Sequence, residues 1–364
     1  MITELRLKNF KALADATIPL DRLTVLVGGN GTGKSTVLQA LQALSSVMST
    51  SESQLEREGV LLKEWAPHRV RTAGTTEPLQ LAVSTTRPRL DFAVGTMHDD
   101  FDGEFWQMEE QTKQPSSLER RELQHASSSA RLQLDARQLA EAAVTQEQPR
   151  MAYDGSGLAD VLAWLASSDP EAKERIEAAV GKIVPRALRY RVQRTKVLRS
   201  EEVFVDGISD DDPLVRTVRR EVIAQRFEVE FKGAGWIPAE HLSEGTLIAM
   251  GLMTALNTPD RPRLILLDDL DRALHPRAQR EVVDVLKKLL DEPTNADLQI
   301  IATTHSPFVV DCVESSAVRV MSVDKDEHAV CKKLTDHPDW ERWRTSLRAG
   351  EFWSFVGEDW MFGA

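Results

Sequence analysis

Gly28-Gly-Asn-Gly-Thr-Gly33-Lys34-Ser35 is the stretch on which the reading of this chain turns. It fits G-x-x-x-x-G-K-[ST], it follows the apolar run Leu23-Thr-Val-Leu-Val27, and a helix is expected behind it from Lys34 to Val47. Strand, glycine loop and helix together make an anion cradle. The glycines let backbone N–H groups curl round phosphate, and the helix N-terminus adds its partial positive charge. Lys34 can reach the β and γ phosphates, the Ser35 hydroxyl can ligate Mg²⁺, and Thr36 is a natural donor to the α-phosphate. Gly28, Asn30, Gly31, Gly33, Lys34, Ser35 and Thr36 are therefore the candidate phosphate-binding residues.

Outward from that loop, residues 2–8 read as a strand, and residues 51–107 carry alternating segments such as Leu79–Val83 and Leu90–Val94, the pattern of an antiparallel lobe. Residues 109–150 are polar, with one expected helix and no heptads sustained long enough for a coiled-coil arm. Leu158 to Val184 is helical in pattern, broken at Asp169-Pro170 and ended by Pro185. From Leu247 the pattern alternates helix and strand: Leu247–Leu256, Leu264–Leu267, Ala278–Leu290 and Leu298–Thr303. That alternation predicts a parallel α/β core.

Composition narrows the class. The chain has 364 residues, 41% hydrophobic and 28% charged, which suits a soluble protein with a real core. Its net charge of -12 argues against a surface that coats nucleic acid throughout, while leaving room for a local basic groove. Cys312 and Cys331 are too few for a disulfide framework and lack a C-x-x-C spacing. The first residues alternate apolar and polar, unlike a signal peptide or a membrane span, so a cytoplasmic location without a membrane partner is expected.

Further blocks extend the match. Leu5-Arg-Leu-Lys-Asn-Phe10-Lys11 followed by Leu23-Thr-Val-Leu-Val-Gly-Gly-Asn30-Gly resembles the amino-terminal lobe of RecF, SMC and OLD-type ATPases. Leu242-Ser243-Glu244-Gly245-Thr246 looks like the ABC signature and Leu264-Ile-Leu-Leu-Asp268-Asp269 like Walker B. Leu274-His275-Pro276 looks like the end of the D-loop, and Thr303-Thr-His305-Ser306-Pro307 like the switch-histidine segment. The resemblance implies an α/β P-loop NTPase with an ABC/SMC-type head: an N-terminal antiparallel lobe and a C-terminal parallel α/β lobe. The expected divisions are 1–108 with the P-loop, a middle segment 109–200, 201–335 with signature, Walker B and switch histidine, and an aromatic tail 336–364.

The resemblance also implies roles. ATP and Mg²⁺ are the cofactors, with Ser35 and Asp268 at the metal. Asp269 is the general base, His305 the γ-phosphate sensor, and Lys34 completes the catalytic set. Ser243 and Gly245 clamp the nucleotide of the opposite subunit, which implies a homodimer sandwiching two ATP molecules. Compact ATPases of this kind often serve bacterial anti-phage defence or DNA repair beside a separate effector nuclease. The alternatives are an ATP-gated scaffold with little hydrolysis and the ATP-binding subunit of a transporter. Lys11 reads either as a nucleotide contact or as an exposed strand-end lysine, and the Q-loop glutamine is left open among Gln80, Gln107 and Gln111.

Several features depart from the pattern or stand outside it. Asp269 occupies a position where such ATPases generally carry Glu, which predicts slow hydrolysis. No carboxylate cluster of the TOPRIM type follows His305, and Glu228-Val-Glu230-Phe-Lys232 reads as alternating charge rather than a nuclease motif. Arg189, Arg191 and Arg199 share one strand face, either as a phosphate track on nucleic acid or as a solvated face. Trp340, Trp343, Trp353 and Trp360, half of the eight tryptophans, crowd the tail with Phe352 and Phe355. That stripe is expected either to fold back as core or to dock a partner or second protomer.

Overall fold

The computed structural model describes residues 1–49, 72, 79–85, 91–99, 103–108, 128–205, 214–259, 261–325 and 328–362. The chain forms two compact units, one made of Met1–Leu132 with Pro262–Ala364 and the other of Gln133–Arg261. These boundaries differ from the expected cuts at 108, 200 and 335, because one parallel sheet takes strands from both ends of the chain.

The first unit opens with β1 (Ile2–Phe10), β2 (Leu13–Pro19), β3 (Leu23–Val27) and α1 (Lys34–Ser49). β4 (Gln80–Thr85), β5 (Asp91–Asp99), β6 (Gly103–Met108) and β7 (Ser129–Leu132) follow. Strands β2-β1-β4-β5-β6 make the antiparallel sheet that the alternating pattern predicts. In β1, Leu5 and Leu7 are buried while Arg6 and Lys8 face water, the period-two signature of a half-covered sheet. α1 buries Val37, Leu38, Leu41 and Leu44 in one core with Leu5, Leu81 and Val83 of the antiparallel sheet and with Leu264, Leu266 and Ile301. That core holds the P-loop helix rigidly.

The second unit contains α2 (Ala136–Ala140), β8 (Ala143–Val144), α3 (Leu158–Ser168), α4 (Pro170–Ile183), β9 (Ala187–Val205), β10 (Leu214–Phe231), β11 (Gly235–Pro238) and α5 (Glu244–Asn257). The break at Asp169-Pro170 is a helix restart: Pro170 takes the first position of α4, and the Asp169 side chain accepts from the Ala172 N–H. β9 and β10 pair as a long antiparallel ribbon. Across it, Arg189 pairs with Glu230 and Arg191 with Glu228, each at 2.6 Å, and the Arg191 guanidinium lies 4.3 Å from the Trp236 ring centre. Of the expected basic face, Arg189 and Arg191 thus have cross-strand carboxylates as partners. Both glutamates of the E-x-K string serve as their counter-ions.

The chain then returns to the first unit with β12 (Leu264–Leu267), α6 (Pro276–Asp291), β13 (Gln299–Thr303), α7 (Pro307–Val310), β14 (Val318–Val323), β15 (Ala329–Lys333), α8 (Trp340–Trp343) and α9 (Ala349–Val356). Among the described residues, the second sheet has the order β15-β14-β3-β13-β12-β7, parallel except for β15. Arg319 is fully buried on β14 and donates to the Pro19 carbonyl at 2.7 Å while pairing with Asp21, which fastens this sheet to the end of β2. β7 was not expected. Its four residues, Ser129-Ala-Arg-Leu132, are too few and too polar to show a period, yet they form the edge next to β12.

The tail folds onto its own unit. Trp340, Phe352 and Trp353 are buried, and His337 lies edge-on to Phe352 with ring centres 5.0 Å apart. The Gly350 N–H donates to the Asp311 carboxylate at 2.8 Å, and a Cβ at position 350 would sit 2.0 Å from the Pro307 carbonyl oxygen. Helix α9 therefore packs on α7 at a distance only glycine permits. The aromatic stripe is divided between two short helices, and Phe355 stays exposed. Phe352→Ala should cost about 3–5 kcal/mol of stability through the lost ring and its cavity. Urea denaturation measures this, and an unchanged midpoint would remove α9 from the core.

Candidate functional site

Register brings the motifs together. β12 pairs with β13 so that Leu267 faces Ala302, and β13 pairs with β3 so that Thr303 faces Leu26. Asp268, Thr303 and the P-loop thus emerge side by side at the carboxyl ends of adjacent parallel strands, the end at which open α/β sheets bind ligands.

The loop is built for close backbone approach. Gly28 has φ of 143° and a Cβ there would lie 2.0 Å from the Met321 carbonyl oxygen, so no other residue fits. Lys34 is buried, and its ammonium donates to the carbonyls of Gly28 at 2.9 Å and Gly29 at 2.6 Å. Burial pulls the Lys34 pKa below the ordinary lysine value, while the carboxylates of Asp269, Asp268, Glu358 and Asp271 oppose that shift. Asn30 and Gly31 are exposed at the tip, and Thr36 is half-buried in the first turn of α1.

Asp268 is the hub. Its Oδ1 accepts from the Ser35 hydroxyl at 2.9 Å and from the Thr303 hydroxyl at 2.8 Å, and its Oδ2 pairs with the Arg131 guanidinium at 2.6 Å. Thr303 Oγ1 in turn accepts from the Asp269 N–H at 2.8 Å, which fixes the start of the Walker B turn. The oxygens of Ser35 and Asp268 fit a hard divalent ion such as Mg²⁺ beside a phosphate cradle.

Asp269 itself has φ of 55°, a left-handed backbone that Asp tolerates better than most residues. Burial raises its carboxyl pKa above the ordinary value, the neighbouring Asp268 charge adds to that, and a charged His305 pulls the other way. His305 is exposed just beyond β13. Its loop is held by Asp271, whose Oδ1 accepts from the Thr304 hydroxyl at 2.5 Å and from the His305 N–H at 3.1 Å. Asp271 and Thr303 are positioning residues that sequence reasoning missed. The only signal for them was proximity to the Walker B acids and to the switch histidine.

Lys11 has φ of 54° and donates to Gln39 of α1 at 2.6 Å, so its ammonium is turned toward the P-loop helix. Ser243 caps α5, its side chain accepting from the Thr246 N–H at 3.3 Å, and it is exposed with Glu244 at the start of that helix while Gly245 is half-buried. Ser243 and Gly245 lie in the second unit and Lys34, Asp268, Asp269 and His305 in the first.

Of the glutamines left open by the sequence, Gln107 lies on β6, Gln80 on β4, and Gln111 outside the described residues. Gln133 directly follows Leu132 of β7 and begins the second unit. No helix among the described residues is long and apolar enough to cross a membrane.

An antiparallel lobe packed through a P-loop helix onto a parallel sheet, with P-loop, Walker B and switch segments at its carboxyl edge, defines a P-loop ATPase head of the ABC/SMC type. The chain belongs to the family described as "AAA domain, putative AbiEii toxin, Type IV TA system", whose model matches residues 23–311. Among solved structures it is similar to an SMC head bound to the C-winged helix domain of ScpA, with a TM-score of 0.57 at 14% identity over 91% of this chain and 96% of that one. An SMC head with a coiled coil and joint from Pyrococcus yayanosii gives 0.55 at 10% identity over 95% and 99%. Both likenesses concern the fold.

Shorter stretches match curated proteins. The Septu protein PtuA of Bacillus thuringiensis is 33% identical over 79 residues, which are 22% of this chain and 19% of that protein. The OLD nuclease of Thermus scotoductus is 49% identical over 41 residues, 11% of this chain and 8% of that protein. The chain thus aligns with less than a fifth of either relative's length.

Proposed function

We propose that this chain is an ATP-binding and ATP-hydrolysing switch that works as a head-to-tail homodimer, the regulatory subunit of a bacterial anti-phage defence complex with a separate effector nuclease. The observation that carries the ATPase reading is the Asp268 hub, which joins Ser35 of the P-loop to Thr303 of the switch segment at hydrogen-bond distance. Such a constellation has a purpose beside a phosphate cradle and little elsewhere. When bound, Mg²⁺ neutralises charge on the β and γ phosphates.

The chain's own groups supply the rest. Lys34 and the P-loop N–H groups orient the triphosphate, Asp269 takes the proton of the attacking water, and His305 senses the γ-phosphate. Ser243 and Gly245, at an exposed helix N-terminus, clamp the γ-phosphate of the second protomer's nucleotide. The short matches to the Septu and OLD proteins support the defence setting, and DNA repair is the neighbouring alternative.

The first test is equilibrium binding of a fluorescent ATP analogue with Mg²⁺. Wild type is expected to bind and Lys34→Ala to lose binding at least about a hundredfold. Wild type that ignores the analogue ends the ATPase reading. Co-purification with the products of neighbouring genes tests the effector, with a nuclease the expected companion.

A further inference from the structure

The Walker B carboxylate is already held by a cation belonging to the protein. Arg131 stands on β7, in register with Leu266 of β12, and its Nη2 lies 2.6 Å from Asp268 Oδ2. The Asp268 side chain is fully buried and that of Arg131 is 11% exposed, so water screens the pair little. The other oxygen of Asp268 is taken by the hydroxyls of Ser35 and Thr303. Those two hydroxyls are compatible with a metal, because Ser35 can present a lone pair to the ion while its proton stays on Asp268. The guanidinium is not. It cannot deprotonate, and its charge sits on the carboxylate that would hold the ion. Two cations on one carboxylate in a dry site repel each other strongly.

We propose that Arg131 is an exchangeable counter-ion for Asp268. It neutralises the buried carboxylate in the nucleotide-free site and leaves Oδ2 when Mg²⁺ arrives with the triphosphate. The inference rests on the Mg·ATP reading given above. Its consequence is selectivity for the complex. Free Mg²⁺ must displace a fixed positive charge and gains nothing in return, whereas Mg²⁺ carried by ATP brings anionic phosphates that take up both the ion and the released guanidinium. Arg131 is thus a positioning residue that sets how much Mg²⁺ the site requires.

The test is Mg²⁺ dependence rather than turnover. Binding of a non-hydrolysable ATP analogue is titrated with Mg²⁺ for wild type, Arg131→Met and Arg131→Lys, and melting is followed with Mg²⁺ alone. Removal of the competing charge in Arg131→Met should lower the Mg²⁺ midpoint for analogue binding at least about tenfold. In that variant Mg²⁺ alone should raise the melting temperature, which in wild type it leaves unchanged. Arg131→Lys keeps the charge without the planar fork, so its midpoint should fall between the other two. Equal midpoints in wild type and Arg131→Met overturn the exchange. Should Arg131→Met fail to fold, a wild-type midpoint in Arg131→Gln, which also removes the charge, overturns it equally. Wild type that binds no analogue at any Mg²⁺ concentration refutes the ATPase reading itself, a result distinct from either.

Discussion

Asp269→Asn is expected to lower ATP turnover by about 10²–10⁴-fold, the usual contribution of a general base, while analogue binding stays within a factor of a few of wild type. The substitution keeps the size and the left-handed backbone at φ of 55°, which Asn tolerates as well as Asp, and keeps the N–H bond to Thr303. Only the proton acceptor is lost. Single-turnover hydrolysis and analogue binding, measured side by side, separate the two effects. Asparagine turning over ATP at the wild-type rate would falsify the assignment of Asp269 as base.

The same position bears on basal speed. Asp269→Glu moves the carboxylate outward by one methylene and should raise turnover, because a misplacement near 1 Å can cost on the order of a hundredfold. The gain should come with a lower melting temperature, since Glu suits the left-handed region less well than Asp. A variant with wild-type turnover would exclude the shortened side chain as a limit on hydrolysis.

Mixing two inactive variants should restore activity if the clamp acts between protomers. Lys34→Ala removes the phosphate lysine in the first unit, and Ser243→Arg blocks the helix start in the second. In a head-to-tail dimer, one chain of each kind yields one doubly broken site and one intact site. Free exchange of equal amounts gives half heterodimers, so turnover should return to about a quarter of wild type from near zero in either variant alone. The measurement is steady-state ATPase activity across mixing ratios. Activity that stays at the sum of the two variants, or Ser243→Arg that is fully active by itself, excludes a clamp supplied in trans.

These expectations draw on two sources. The glycine loop, the strand ahead of Asp268 and the strand ahead of His305 were legible in the sequence because each is a local event: an apolar strand, a turn of fixed composition, and the start of a helix or loop. Gly28-Gly-Asn-Gly-Thr-Gly33-Lys34-Ser35 specifies its own conformation, and the alternation from Leu264 to Thr303 specifies parallel strands whichever neighbours they find. The alternation in Leu79–Val83 and Leu90–Val94 likewise announced an antiparallel lobe.

Tertiary structure decided what depends on residues far apart in the chain. Strand order placed β7 beside β12, and so brought Arg131 onto Asp268 across 137 positions, a pairing that no local pattern encodes. It also turned Arg189 and Arg191 from an apparent basic track into one side of a charge-balanced ribbon, because their partners Glu230 and Glu228 lie on the returning strand. The tail followed the same rule. Its aromatic density was visible in the sequence, but whether those rings faced water, a partner or their own unit depended on the close approach that Gly350 allows at Pro307. Sequence patterns report the nearest few residues through backbone periodicity. Charge pairing and burial report whichever surface the fold brings opposite, and that is fixed only when the sheet is assembled.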